Sequence, residues 1–380
     1  MRADNSMRLS PSVSYGSAQH QEIEKRLRAE AQPIHYQGEL GPLARLFYTN
    51  LALSLLTLGI YRFWGKTHIR RYVWSQFEIL GERLEYLGTG RELLLGFLKT
   101  AAFVAILVIV RQFGPEFVDP TGFWVVGIAL GTSAAFGFLF LAAQFSAQRY
   151  RLTRTAWCGI RGSMEGSAWP YAFKTGGLFI VSALLIGLLI PWWRMTCLEL
   201  RISASRFGSM RANLEPGRSV CFWTFMLGSL IVGVTNTMVG YLVLDVVPTV
   251  ENARLAEALQ FILPLVALLL VLPFAFAPYY ASVQHEIFNN LSFFDKDAGY
   301  LRFASSITAG GVLWQMFTAL LILVPTLGLG FPLVMHRWLK FSADNLRVGG
   351  KLDPAALRQA TEAMPKTSEG LLEALDPGIL

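Results

Sequence analysis

Basic residues recur beside apolar segments of this chain in three groups: Lys66, Arg70 and Arg71; Arg194, Arg201 and Arg206; and Arg337, Lys340 and Arg347. Cations placed at the ends of hydrocarbon-length segments suit anionic phospholipid headgroups or an anionic solute, and they also fix topology, because positive charge favours the cytoplasmic side. Lys99 and Lys174 lie inside apolar stretches. An ionisable group there is costly unless it is paired, lines water or snorkels to the interface. Asn236, in another apolar stretch, has the amide needed for a hydrogen bond between helices, worth about 1 kcal/mol. Gly88-Thr-Gly90 resembles part of a phosphate-cradling loop but lacks the following Gly-Lys-Ser/Thr, and reads as a turn before a helix. Glu85 and Glu92, close by, suit a helix start rather than an acid–base pair. His68 and His336 have no HExxH motif or carboxylate–histidine cluster beside them, so no metal site is expected. No Gly-x-Ser-x-Gly elbow occurs either. The expectation is a protein without cofactor or enzymatic chemistry.

The elements that position these residues are set by composition. Of 380 residues, 53% are hydrophobic and only 16% are charged, against about 25% charged in a typical soluble domain. The apolar residues gather into seven segments near the length of about 20 residues that a helix needs to cross a bilayer: 43–64, 93–110, 122–143, 170–193, 221–244, 259–279 and 312–335. Backbone polar groups in lipid must be satisfied within the segment, and the alternation of a membrane β-barrel is missing, so the expected class is an all-α polytopic membrane helix bundle. Trp64, Trp124, Trp169, Trp192, Trp193 and Tyr279 fall at segment ends as interface anchors. Residues 1–35 read as a polar tail without the apolar core of a cleaved signal, 36–352 as the membrane domain, and 353–380 as a short tail with one amphipathic helix. Cys158, Cys197 and Cys221 are too dispersed for a zinc site or disulfide framework. The net charge of +7 sits beside apolar segments, which argues for anionic membrane lipid as partner and against nucleic acid. Nothing in the sequence names a protein partner or an oligomeric state. Between the first two segments, Phe77 to Tyr86 alternates around Gly81 in the manner of a small hairpin.

An internal repeat accompanies the basic groups. Trp64, Pro191 and Pro332 at helix exits are each followed 17 residues later by a glycine, Gly81, Gly208 and Gly349, with basic residues between. Two apolar segments separate successive copies. If all seven segments cross, successive copies point in opposite directions, as in many secondary transporters. That places the Arg201 and Arg206 group on the face opposite Lys66, Arg70 and Arg71, against the charge rule. Two resolutions stay open: the repeat segments break near Gly59, Pro191 or Pro332 and return to the side they entered from, or the basic stretches lie as interfacial amphipathic helices.

The first repeat, through Leu55-Leu-Thr-Leu-Gly-Ile-Tyr61, and the stretch Glu85-Tyr-Leu-Gly-Thr-Gly-Arg-Glu-Leu93, with its Tyr-x-Gly-Thr-Gly-x-Glu-Leu pattern, are similar to the YjgN-like family of bacterial inner-membrane proteins, whose function is unknown. The similarity extends from about Tyr36 to Lys351. It departs at the second copy, where Gly187-Leu-Leu-Ile-Pro191 replaces Thr-Leu-Gly, and in the polar tail. The resemblance implies an inner-membrane location and an α-helical fold, and supplies no substrate. The leading functional expectation is transport of a small solute, ion or lipid along a polar path between helices bent at Gly59, Pro191 and Pro332. The alternative is a protein that organises anionic lipid or a partner through its basic residues.

Overall fold

The computed structural model describes residues 31–117, 122–246, 253–353 and 356–359; most of the two tails, including the amphipathic helix expected beyond residue 353, lies outside the described residues. The chain opens with two short strands, β1 (Gln32–Pro33) and β2 (His35–Tyr36), and then alternates helical hairpins with β-hairpins. The first helical hairpin is α1 (Leu40–Leu56) with α2 (Arg62–Ser75), followed by β3 (Phe77–Ile79) and β4 (Glu82–Tyr86). The second is α3 (Gly90–Phe113) with α4 (Phe123–Thr153), followed by β5 (Thr155–Trp157) and β6 (Ile160–Met164). Next come α5 (Ala168–Leu184) and α6 (Ile190–Ser203), then β7 (Ser205–Phe207) and β8 (Met210–Leu214). Then follow α7 (Ser219–Val246), α8 (Ala253–Ala275) and α9 (Ala277–Asn290), leading to β9 (Leu291–Asp295) and β10 (Gly299–Ser305). The last hairpin is α10 (Ala309–Leu323) with α11 (Phe331–Asp344), and β11 (Leu346–Leu352) ends the sheet.

The all-α expectation is overturned by this sheet. All 11 strands form one antiparallel array in the order β1-β11-β10-β9-β8-β7-β6-β5-β4-β3-β2. Its two end strands are consecutive in the chain and are joined by Ile34, whose N–H donates to the Leu346 carbonyl at 3.2 Å, so the array closes on itself as a barrel. The strands were concealed because most are only two to five residues long, too short for an alternation to stand out, and they pair with strands far along the chain. The hairpin expected around Gly81 is present: Leu80 and Gly81 both take positive φ (52° and 86°), the turn that matches the right-handed twist of its flanking strands. Cys158 and Gly159 repeat it between β5 and β6.

The expectation of seven crossing segments is corrected as well. Four helical stretches among the described residues are long and apolar enough to span: Gly90–Phe113, Phe123–Thr153, Ser219–Asp245 and Arg254–Asn290. The segments at 43–64, 170–193 and 312–335 are instead broken hairpins. At each break the same two hydrogen bonds cap the first helix: Gly59 to Ser54 (2.7 Å) with Leu58 to Leu55, Gly187 to Ser182 (2.8 Å) with Ile186 to Ala183, and Gly328 to Leu323 (2.8 Å) with Leu327 to Val324. This is the Schellman termination, and it carries a leucine or isoleucine in the left-handed region before a glycine at φ +79° to +90°. Hydropathy misses the turn because the turn is itself apolar.

Strand pairing fixes where the hairpins attach. Tyr86 lies opposite Thr155, Met164 opposite Ser205, Leu214 opposite Leu291, and Ser305 opposite Leu346, so every junction between helix and strand falls on one rim. The β-turns fall on the other. Around the helical rim each helix packs on its chain neighbour, and α11 returns to α1 to close the ring. The barrel interior is filled by Trp157, Met210, Ala298, Leu301 and Val348, and Leu357 enters from the turn side. There the Gln359 side chain accepts from the Arg161 N–H (2.9 Å) and donates to the Arg161 carbonyl (3.3 Å), extending the sheet by one amide.

Candidate functional site

The rim where helices meet the barrel holds the chemistry-bearing side chains. The returning helices α2, α6, α9 and α11 each contain 14 residues, about 21 Å of helix, and three of them carry basic groups: Arg70, Arg71, Arg201 and Lys340 lie toward the rim, whereas Lys66 and Arg194 lie four residues from the tip-side starts of α2 and α6. Arg71, Arg194, Lys340 and Arg347 are exposed; Lys66, Arg201, Arg206 and Arg337 are half-buried. Arg70 is fully buried, with its guanidinium 5.9 Å from the centre of the Tyr86 ring. Arg206 pairs with Glu165, and Arg201 donates to the carbonyl of Cys197 at 3.3 Å. The basic residues therefore divide into a solvent- or headgroup-facing set and a set that holds the rim together.

Lys99 and Lys174 are both exposed on their helices, nine and six residues from the starts of α3 and α5, about 14 Å and 9 Å from the rim. Asn236 does not bridge helices: its amide donates to Val232 in its own helix at 3.1 Å. Gly59 sits in the first hairpin tip, while Pro191 and Pro332 occupy the first turns of α6 and α11, just after the tips, where a missing N–H costs nothing. Of the glycines spaced 17 residues on, Gly81 and Gly208 lie in β-turns but Gly349 lies within β11, opposite Arg302. His68 packs on Tyr61 and His336 on Tyr36, far apart in role, and no cluster of three metal-ligating side chains occurs among the described residues.

The segment Glu85–Leu93 forms the most elaborate part of the rim. It leaves β4, turns at Gly88 and starts α3, with the Thr89 hydroxyl capping the Glu92 N–H (3.4 Å). Arg71 donates to the Gly88 carbonyl. A Cβ on Gly90 would lie 2.8 Å from the Trp64 Cα, so only glycine lets α2 and α3 approach this closely. The Glu92 carboxylate accepts from both Nε and Nη2 of Arg154 at 3.0 Å and from the Tyr150 hydroxyl at 2.9 Å. That fork ties the first turn of α3 to the last turn of α4. A second tie, of opposite order, joins neighbouring hairpins: Glu199, near the end of α6, pairs with Arg218, the residue before α7, whose guanidinium lies 4.8 Å over the Trp192 ring. Reading the sequence found Glu92 as a helix-start residue and missed its partner, 62 positions away; an acid at a helix start and an arginine ending the returning helix was the available signal. Outside the membrane, the Ser209 hydroxyl donates to Asp295 at 2.6 Å and holds that carboxyl below its ordinary range.

A helix ring over a closed barrel, with a Tyr-x-Gly-Thr-Gly-x-Glu-Leu clamp at its rim, can be set against known proteins. Residues 31–374 match the family described as bacterial protein of unknown function, DUF898. The chain belongs to this family. It is 24% identical over 379 residues to the inner membrane protein YjgN of Escherichia coli O157:H7, covering 87% of this chain and 91% of that one. The YjgN of Salmonella typhimurium is likewise 24% identical, over 376 residues, covering 85% and 89%. No solved structure matches the chain. This DUF898 member is an inner-membrane protein, and the α-helical fold implied by the resemblance is corrected by the barrel on whose rim the helices stand.

Proposed function

We propose that this protein binds and organises anionic phospholipid in the leaflet beside the barrel and catalyses no reaction. The observation that carries this reading is the pairing of short hairpins with exposed cations. The tips at Leu58, Ile186 and Leu327 are more than 90% exposed and sit on helices of 14 to 17 residues, about 21–25 Å, against a hydrocarbon core about 30 Å thick. Such hairpins lodge among acyl chains without crossing. Lys340 and Arg347, exposed at the base of the third hairpin, lie at headgroup level, and positive charge on this rim favours a barrel on the cytoplasmic side. The filled barrel interior argues against a water path along its axis. We read the three short hairpins as copies of one unit, supported by their shared tip geometry.

The test is the phospholipid retained on purification in a mild detergent. Anionic lipid is expected to be enriched over its share of the source membrane, and the double substitution Lys340→Gln, Arg347→Gln to remove the enrichment. Retained lipid with the headgroup ratio of the membrane refutes the proposal. A transport role is the second reading, favoured by the exposure of Lys99 and Lys174 on apolar helices; solute or lipid flux in proteoliposomes that disappears in Lys99→Leu or Lys174→Leu would replace the first reading with it.

A further inference from the structure

We infer that the gap between α8, α10 and α11 is a binding groove for one acyl chain of an anionic phospholipid in the barrel-side leaflet. This rests on the lipid-binding reading above and gives it a location. The groove, about 210 Å³, is walled by Leu269, Pro273 and Phe274 of α8, Met316 and Leu320 of α10, and Trp338 of α11. Apart from the indole N–H, its walls offer water nothing to bond, and a site of that kind takes hydrocarbon.

The gap has a cause in the chain. α8 ends at Ala275 and the helix resumes as α9 at Ala277, with Pro273 in the last turn of α8. A proline there removes a backbone donor and crowds the preceding turn, so the rod bends. Below the bend, Ala277 and Ala281 of α9 pack directly on Val312 of α10. Above it, α8 touches α10 only at the margin, and the wedge between them has Trp338 at its base.

Depth and charge identify the occupant. Met316 and Leu320 lie seven and eleven residues along α10 from Ala309, about 10 and 16 Å from the rim, which is the depth of acyl chains. Leu269 and Leu321 beside the groove are exposed, so it opens toward lipid. On α11 the exposed Lys340 lies about 6 Å from the rim and Arg337 level with Met316, with no acidic residue before Asp344, while α10 carries no charge at all. The mouth is thus positive, and an anionic headgroup complements it.

The test uses the full-length protein in nanodiscs containing phosphatidylglycerol with a diazirine in its acyl chain, with crosslinks mapped by mass spectrometry. Crosslinks are expected to concentrate on the peptides carrying Met316, Leu320 and Trp338, to fall at least tenfold in Ala319→Trp, which fills the groove from its α10 wall, and to be weaker for the phosphatidylcholine analogue. A thermal melt checks that Ala319→Trp is folded, and the wild-type map stands without it. Crosslinks spread evenly over all exposed helix faces, or concentrated on other helices while anionic lipid is still retained, overturn the groove and leave the proposed function intact. Absence of selective anionic-lipid retention overturns both.

Discussion

Substituting Leu327 by arginine places a charge at the tip of the third short hairpin. The two arms, α10 and α11, contain 15 and 14 residues, about 22 and 21 Å, so a tip whose arms start at headgroup level stops within a hydrocarbon core of about 30 Å. The α3 arm of 24 residues reaches about 36 Å and emerges. Arginine at the centre of a membrane helix costs about 2.5–3.5 kcal/mol on the insertion scale, and Leu327→Arg should lower the fraction of correctly inserted chain by roughly two orders of magnitude. Phe123→Arg, at the far end of the long second hairpin, should cost little. Both are measured by protease protection in inner-membrane vesicles. Single cysteines in a background lacking Cys158, Cys197 and Cys221 give an independent reading: a cysteine at 123 reacts with impermeant maleimide from the side opposite the barrel, and one at 327 reacts only after the bilayer is dissolved. Equal penalties for the two arginines, or equal labelling of the two cysteines, would refute the re-entrant geometry.

Removing the Glu92 fork should destabilise the protein by roughly 2–3 kcal/mol, the range for charge-assisted bonds partly open to solvent; Glu92→Ala should show this in a thermal melt, and Glu92→Gln, which keeps a bond to Tyr150, should lose less. Gly90→Val drives a side chain into the backbone of Trp64 and should cost about 1–3 kcal/mol, read the same way. Gln359→Ala should speed hydrogen exchange at the Arg161 amide, which that side chain protects, while the amides of β9 and β10 stay protected. Burial, with Glu82 as a lesser cause, pushes the Cys158 thiol up, so its thiolate is scarce at neutral pH and alkylation should go on accelerating with pH past the ordinary thiol range; a rate that levels off near neutrality would contradict that setting.

Hydropathy made the membrane class and the four long helices legible, because bilayer thickness imposes length directly on sequence. Tip geometry was half legible: Gly59, Pro191 and Pro332 marked a break, yet the residue that reverses the chain at each tip is a leucine or isoleucine with positive φ, and nothing in an apolar side chain announces that. The barrel was legible only at Phe77–Tyr86, where Gly81 stands out in a polar setting; β5 and β7 were not, since three residues carry no period and their partners lie in other hairpins. At the rim, the recurrence of basic residues was visible and their division was not. Arg70 and Arg71 are adjacent in sequence, and only packing decides that one is buried against Tyr86 while the other is exposed and bonds Gly88.

The seam of the barrel sets a timetable for biogenesis. Gln32 pairs with Val348 and Pro33 with Arg347, so the ring joins positions more than 300 residues apart in the chain, while every other pairing is made between neighbouring hairpins. During synthesis the hairpins can insert one after another, but the sheet stays an arc with an unpaired edge until β11 has left the ribosome. An edge of that kind invites pairing with a neighbouring nascent chain. The waiting strand β1 is two residues long and contains Pro33, which has no N–H to offer. A chain interrupted before Leu346 would therefore be membrane-inserted yet unsealed, with its open strand edge exposed although its helices from α1 to α10 are complete.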